Sequence, residues 1–186
     1  MQDVAIGLRT SAADAVTAAQ PLTAEWLCET YANRIYKFAL LVSCGSQDAE
    51  DLAQDALERA LRGLKTFDPS KGEIEGWLWR IVVNAGRDAG RIARRQRLVV
   101  DRLVDLWSVN VKVIDLGDHF ASAELLEAVR ALPARRRAVI ALRYGADLDY
   151  KRVGMALGIS EAAALMVSRR AIAALRSRLS HEVDST

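Results

Sequence analysis

The chain has 186 residues, room for one medium domain or two small ones, and 51% of them are apolar, which excludes global disorder. Glycine (11) and proline (3) are scarce, β-branched runs are short, and the composition reads as all-α. Two cysteines, Cys28 and Cys44, exclude a disulfide framework and a zinc site; on apolar helices they read as buried thiols.

The net charge of +2 hides segregation. Asp48, Glu50, Asp51, Asp55 and Glu58 form an acidic block. Arg87, Arg91, Arg94, Arg95, Arg97 and Arg102 form a basic block, and Arg130, Arg135, Arg136, Arg137 and Arg143 form another. Separated blocks imply separate partners: a basic one for the first, nucleic acid for the others. No stretch is apolar enough to insert into a membrane, and the N-terminus has no secretory pattern, so a cytoplasmic protein is expected.

In chain order, residues 1–21 read as a flexible tail ending at Pro21. From Leu22, the residues Trp26, Leu27, Thr30, Tyr31, Ile35, Phe38, Ala39 and Val42 recur at helical spacing until Ser43–Ser46. A second helix is predicted from about Ser46–Asp48 to Gly63–Lys65, with its acids at the positive end of the macrodipole. Thr66–Gly72 is a loop, and a third helix is predicted from about Ile74 to Arg95. Residues 97–122 form a linker with scattered apolar anchors. Helices then follow over Leu125–Leu132, Arg135–Tyr144, Tyr150–Leu157 and Glu161 to about Leu179. The division is two small all-α domains, 22–96 and 123–180, joined by the linker and ending in a tail at 181–186.

Three constellations carry function. In the C-terminal unit, Gly158 suits the left-handed stop of one helix, Ser160 the cap of the next, and Gly154 a close crossing, which together make a helix-turn-helix or an ordinary helical hairpin. The surrounding Arg135–Arg137, Arg169, Arg170, Arg176 and Arg178 favour phosphate contacts. In the second helix, Asp51, Asp55 and Glu58, with Gln54 beside them, lie along one face, either simply solvated or a docking surface for a basic helix. In the third, Trp77, Ile81, Asn84, Asp88 and Arg91 share a stripe flanked by Arg87, Arg94 and Arg95, a composition suited to single-stranded nucleic acid. One of Trp77 and Trp79 must be core, since they point to different faces. No cluster suits a metal, a cofactor or catalysis, so no enzymatic activity is expected.

The order of these pieces is informative. Asp48-Ala-Glu-Asp-Leu-Ala-Gln-Asp-Ala-Leu-Glu-Arg-Ala60, Gly76-Trp-Leu-Trp-Arg-Ile-Val-Val-Asn-Ala-Gly-Arg-Asp88, and Leu132 to Tyr144 followed by Leu157-Gly-Ile-Ser-Glu161 resemble the successive motifs of bacterial extracytoplasmic-function sigma factors, in the sigma-70 family. The resemblance implies a transcription initiation factor whose Asp48, Asp51, Gln54, Asp55 and Glu58 bind the clamp helices of core RNA polymerase. It implies that the loop from Phe67 to Glu75, with Phe67, Lys71, Trp77, Arg80, Asn84, Arg87, Arg91, Arg94 and Arg95, melts the minus-ten element and holds its single strand. It implies that Arg136, Arg137, Arg143, Ser160, Glu161, Ala162, Leu165, Met166, Arg169, Arg170 and Arg176 meet minus-thirty-five duplex DNA. An anti-sigma factor is the further expected partner. The alternative is a sigma-like regulatory paralogue that binds polymerase or another regulator without strong promoter readout.

The chain departs from the family pattern at Leu165 and Val167, where polar or basic residues are usual. Leu and Met cannot make the bidentate bonds to guanine that Arg makes, each worth about 1–3 kcal/mol of discrimination, though they can touch a thymine methyl. The recognition helix is therefore expected to position more than it specifies. A saturation library of the minus-thirty-five region should return a weak or A·T-biased motif for the wild type; a strong G/C motif would refute this.

Overall fold

A computed structural model describes residues 22–43, 45–100 and 123–183. The tail at 1–21, Cys44, the linker beyond Val100, and the side chains of Arg94, Arg95, Arg97 and Arg102 lie outside the described residues. Seven helices are described: α1 (Ala24–Val42), α2 (Ser46–Leu64), α3 (Ile74–Val100), α4 (Ala123–Arg130), α5 (Ala134–Ile140, continued by a π turn over Ala141–Gly145), α6 (Tyr150–Leu157) and α7 (Glu161–Val183). The architecture is all-α, as the composition implies.

Local chemistry sets the ends. Thr23 caps α1 by accepting the Trp26 N–H at 3.2 Å. Between α2 and α3, Asp68 caps a short 3₁₀ turn at Pro69–Lys71, accepting from the Ser70 N–H at 3.0 Å. Asp149 caps α6 through the Arg152 N–H at 2.7 Å. Gly158, at φ 71°, ends α6 in the left-handed region open to glycine. Ser160 Oγ then accepts the Ala163 N–H at 3.2 Å and starts α7.

In the N-terminal unit, α2 offers mainly small side chains. Ala49, Ala53, Ala56 and Ala60 are buried and let α1 and α3 approach closely. Against them stand Leu27, Tyr31, Ile35 and Phe38 of α1 and Leu78, Trp79 and Val82 of α3. In the C-terminal unit, Leu126, Val129, Val139, Leu142, Val153, Ala164 and Ala171 surround the α6–α7 crossing. The two halves share one continuous apolar core, because α1 packs on the π turn and α3 packs on α6.

The structure corrects several expectations. Helix α3 continues past Arg95 to Val100, into the expected linker, because no Gly or Pro interrupts residues 91–100. Helix α7 continues past Leu179 to Val183. Helix α4 runs over Ala123–Arg130 and stops short of Leu132, the residue before Pro133, which proline disfavours in helical conformation. Thr30 is exposed, so it does not belong to the α1 core face, and Cys28 is only half-buried.

Gly154 is required by the crossing: a Cβ there would lie 2.7 Å from the Ile159 carbonyl oxygen. Gly154→Val should therefore destabilise the C-terminal unit by about 1–3 kcal/mol through overpacking against backbone. Thermal unfolding checks this, and an unchanged Tm would show that the turn opens without cost.

Candidate polymerase and nucleic-acid interfaces

The acidic face of α2 is less uniform than its sequence. Asp48, Glu50, Asp51, Gln54 and Glu58 are exposed and Asp55 is half-buried. Two arginines one turn on neutralise its far end. Arg62 pairs with Glu58 at 2.8 Å, and Arg59 pairs with Asp55 at 2.8 Å. Asp51 accepts from the neutral Gln47 amide at 3.3 Å and makes no ion pair among the described residues. Uncompensated negative charge therefore gathers at the N-terminal half of α2, around Glu50 and Asp51, while Asp55 and Glu58 are already partnered.

Arg59 also reaches Asp88 of α3 at 2.8 Å, and Asp88 in turn pairs with Arg91. The chain Asp55–Arg59–Asp88–Arg91 joins the acidic face to the basic helix. The hydrogen bonds from Arg59 and Arg91 hold the Asp88 carboxyl below the usual carboxylate range, and the bonds to Asp88 and Asp55 raise the pKa of Arg59.

On α3, Trp79 is buried at 1% exposure and stands edge-on to Phe38, with centroids 6.1 Å apart. Trp77 is half-buried, and its ring lies 5.3 Å from that of Phe67 and beneath Gly63, where a Cβ would fall 2.9 Å from Trp77 Cζ2. Trp77 thus anchors the Phe67 loop to the end of α2, and its ring is engaged in packing. Lys71, paired with Asp68 at 3.4 Å, and Arg80 are exposed. Exposed Asn84 accepts from Arg87 at 3.3 Å, and Arg87 also donates to the Leu157 carbonyl at 3.4 Å. A cleft between α3, α5 and the α6–α7 turn brings Asn84, Arg87, Arg91, Arg135 and Arg137 together.

In the C-terminal unit, Glu161, Ala162, Arg169, Arg170 and Arg176 are exposed, Leu165 is half-buried and Met166 is 47% exposed. Val167, one of the two departures from the family pattern, packs against the core, and Ser168 beside it is buried at hydrogen-bond distance, 3.2 Å, from the Tyr150 hydroxyl. The helical period puts Leu165 and Met166, without Val167, beside Glu161 and Ala162. Arg136 is half-buried; Arg137 turns inward to donate to the Arg130 carbonyl at 2.7 Å. Arg143 pairs with Asp147 at 3.4 Å and sits over the Tyr144 and Tyr150 rings.

Sequence reading missed one cluster. Glu75, at the N-terminus of α3, is buried, with Arg34 of α1 at 2.7 Å and Arg152 of α6 at 3.0 Å. Nearby Tyr31 has its pKa pushed up to about 12, first by burial and then by the charge of Glu75. These residues are far apart in sequence and lie on the inner edges of helices, so no local pattern links them. Among the described residues no group of His, Cys, Asp and Glu could hold a metal, and no helix is long and apolar enough to cross a membrane.

The all-α scaffold thus carries two separate charged faces, one acidic on α2 and one cationic beside a capped helix-turn-helix. The sigma-70 region 2 family model matches residues 27–97, and the sigma-70 region 4 model matches residues 128–177. The ECF RNA polymerase sigma factor SigE of Mycolicibacterium smegmatis is 32% identical over 139 residues, covering 72% of this chain and 52% of that relative, so the chain spans about half of its length. The ECF RNA polymerase sigma factor SigM of Bacillus subtilis is 27% identical over 160 residues, covering 84% of this chain and 97% of SigM. Two solved structures share the fold. The sigma factor RpoE of Bartonella quintana, in complex with the anti-sigma factor NepR, gives a TM-score of 0.64 at 22% identity, covering 84% of this chain and 96% of RpoE. CnrH, in complex with the cytosolic domain of CnrY, gives 0.62 at 23%, covering 85% of this chain and 88% of CnrH. The chain belongs to the sigma-70 family, as an RNA polymerase sigma factor of the extracytoplasmic-function type.

Proposed function

We propose that this chain directs core RNA polymerase to promoters in the cytoplasm, without catalytic chemistry of its own, and that an anti-sigma factor restrains it. The observation that carries the reading is the ordered pair of sigma regions, each bearing the face its role needs. The uncompensated acids around Asp51 suit a basic clamp helix. The Asn84, Arg80 and Arg87 face, beside the Trp77-anchored loop, suits a strand leaving the duplex: an amide for base edges and guanidinium groups for phosphates. The capped α7 with its arginine rim suits duplex DNA. The regulatory alternative is favoured by one observation, the exposed Met166 beside Leu165, an apolar surface a protein could cover.

The test is assembly and transcription together. Asp51→Lys/Asp55→Lys should abolish co-purification with core polymerase while leaving helical content unchanged. Asp51 should carry most of the effect, since Asp55 already has Arg59. Core binding by the double variant at wild-type strength would overturn the assignment. A regulatory paralogue would bind core and give no run-off transcript.

Asn84→Ala should leave core affinity near normal and weaken open-complex formation on duplex promoters about tenfold, roughly 1.4 kcal/mol, the scale of one or two lost hydrogen bonds. A pre-melted template should recover part of the loss. Normal transcription from a duplex promoter by Asn84→Ala would remove this residue from the melting step.

A further inference from the structure

The cleft between α3, α5 and the α6–α7 turn holds positive charge that its surroundings do not neutralise. Arg87 of α3 and Arg135 and Arg137 of α5 line it, and none of them makes an ion pair among the described residues. Arg87 donates only to neutral acceptors, Asn84 Oδ1 at 3.3 Å and the Leu157 carbonyl at 3.4 Å, and Arg137 to the Arg130 carbonyl at 2.7 Å. Arg135 is exposed. The one carboxylate among the described lining residues, Asp88, is already held by Arg59 and Arg91. The inner wall is apolar: Phe38 and Val83 are buried at its base, and Leu157 and Ile159 are half-buried on the side of the turn. The cleft has a volume of about 1270 Å³, beyond the roughly 300–1000 Å³ of an ordinary small-molecule pocket, so it has room for an extended ligand.

Gly90 is an independent observation at the same place. It lies inside α3, where glycine is disfavoured, yet a Cβ there would meet nothing within 4 Å. No packing among the described residues therefore requires a glycine. What it provides is a stretch of bare helix wall along the cleft, which a flat ring can approach.

Unpaired guanidinium groups, one amide and an apolar wall with a bare patch suit one chemistry, a nucleotide carrying several phosphates. A polyphosphate concentrates three or more charges on adjacent phosphorus atoms, and planar guanidinium forks bind such oxygens in pairs. A base buries its faces against apolar surface and offers polar edges to an amide such as Asn84. A nucleic-acid strand instead spreads one charge per nucleotide along its length, which calls for a line of cations rather than a group gathered in one recess.

We propose that this cleft binds a nucleoside polyphosphate, with its phosphates on Arg87, Arg135 and Arg137 and its base on the Phe38–Val83 wall beside Gly90. Asn84 and Arg87 belong to the face assigned above to the minus-ten strand, so a bound nucleotide withholds them from DNA and opposes promoter melting. That consequence rests on the promoter reading; the binding itself does not.

The test is isothermal titration calorimetry of the full chain with ATP, GTP and inorganic triphosphate. At least one nucleotide should bind saturably, one per chain, and more tightly than triphosphate. Arg135→Glu should weaken that binding at least about tenfold, the scale of one lost charge-assisted hydrogen bond. Gly90→Leu should raise the thermal midpoint, since it replaces a helix-interior glycine, and should weaken nucleotide binding by filling the wall. Arg169→Glu makes the same charge change on α7, outside the cleft, and should leave binding near the wild-type level. Circular dichroism first confirms unchanged helical content. Absence of saturable binding by both nucleotides would overturn the site. Equal losses in Arg135→Glu and Arg169→Glu would reduce it to diffuse charge attraction and overturn it as well. Triphosphate binding as tightly as the nucleotides, or undiminished binding by Gly90→Leu, would overturn the base contact. Excess nucleotide should also displace a labelled single strand of about 12 bases, read by fluorescence anisotropy, and no displacement would overturn the competition. Failure of the chain to bind core polymerase would count against the promoter reading and leave calorimetry to decide the cleft.

Discussion

Glu75 is the one buried carboxylate among the described residues, and the joint between the two regions depends on how it is satisfied. Removing a carboxylate from water costs several kcal/mol unless cations and aligned donors replace the lost hydration. Two guanidinium groups supply the opposite charge from two sides, while Glu75 Oε1 and Arg152 Nε, both buried, make no aligned hydrogen bond among the described residues. Arg34 is itself fixed: its guanidinium stands over the Tyr31 and Trp79 rings, 5.4 and 5.6 Å from their centroids. The Arg34 contact therefore belongs to the interior of region 2, while the Arg152 contact comes from region 4. An ion pair of this kind adds little net stability compared with an apolar seam, but it fixes one docking register, because a misplaced Glu75 would be buried without a partner.

The apolar packing around it follows the same logic of small residues at close approaches. The alanine face of α2 brings α1 and α3 together, Gly154 lets α6 cross α7, and Gly145 lets the π turn rest on α1. Large side chains then fill the spaces between these contacts. The outward faces are left to charge: acid at the start of α2, and arginine along α3, α5 and α7.

Much of this was legible in the sequence because it is local. Helix periods, the Gly158–Ser160 turn and the acid block each lie within a few residues. The unreadable parts are those where distant residues meet. Arg59 and Arg62 lie just beyond the acid block, so a window that stops at Glu58 counts Asp55 as unpaired. Val167 sits within an apolar run, Leu165-Met166-Val167, that spans two faces, and only the packing on the core decides which member turns inward. Trp77 has the composition of a stacking residue, but its ring is covered by Phe67, ten residues earlier. The Glu75 cluster joins positions 34, 75 and 152, a separation no periodicity can reveal.

Arg59 has a further consequence. It is a single charge shared by Asp55 of the acidic face and Asp88 of the basic helix. Energies of groups that share a partner do not add. Neutralising Asp55 leaves Arg59 to Asp88 alone and alters how firmly Arg91 is held, and neutralising Asp88 returns Arg59 to Asp55. An alanine scan of either face therefore reports in part on the other, and two surfaces with different binding tasks behave as one thermodynamic unit.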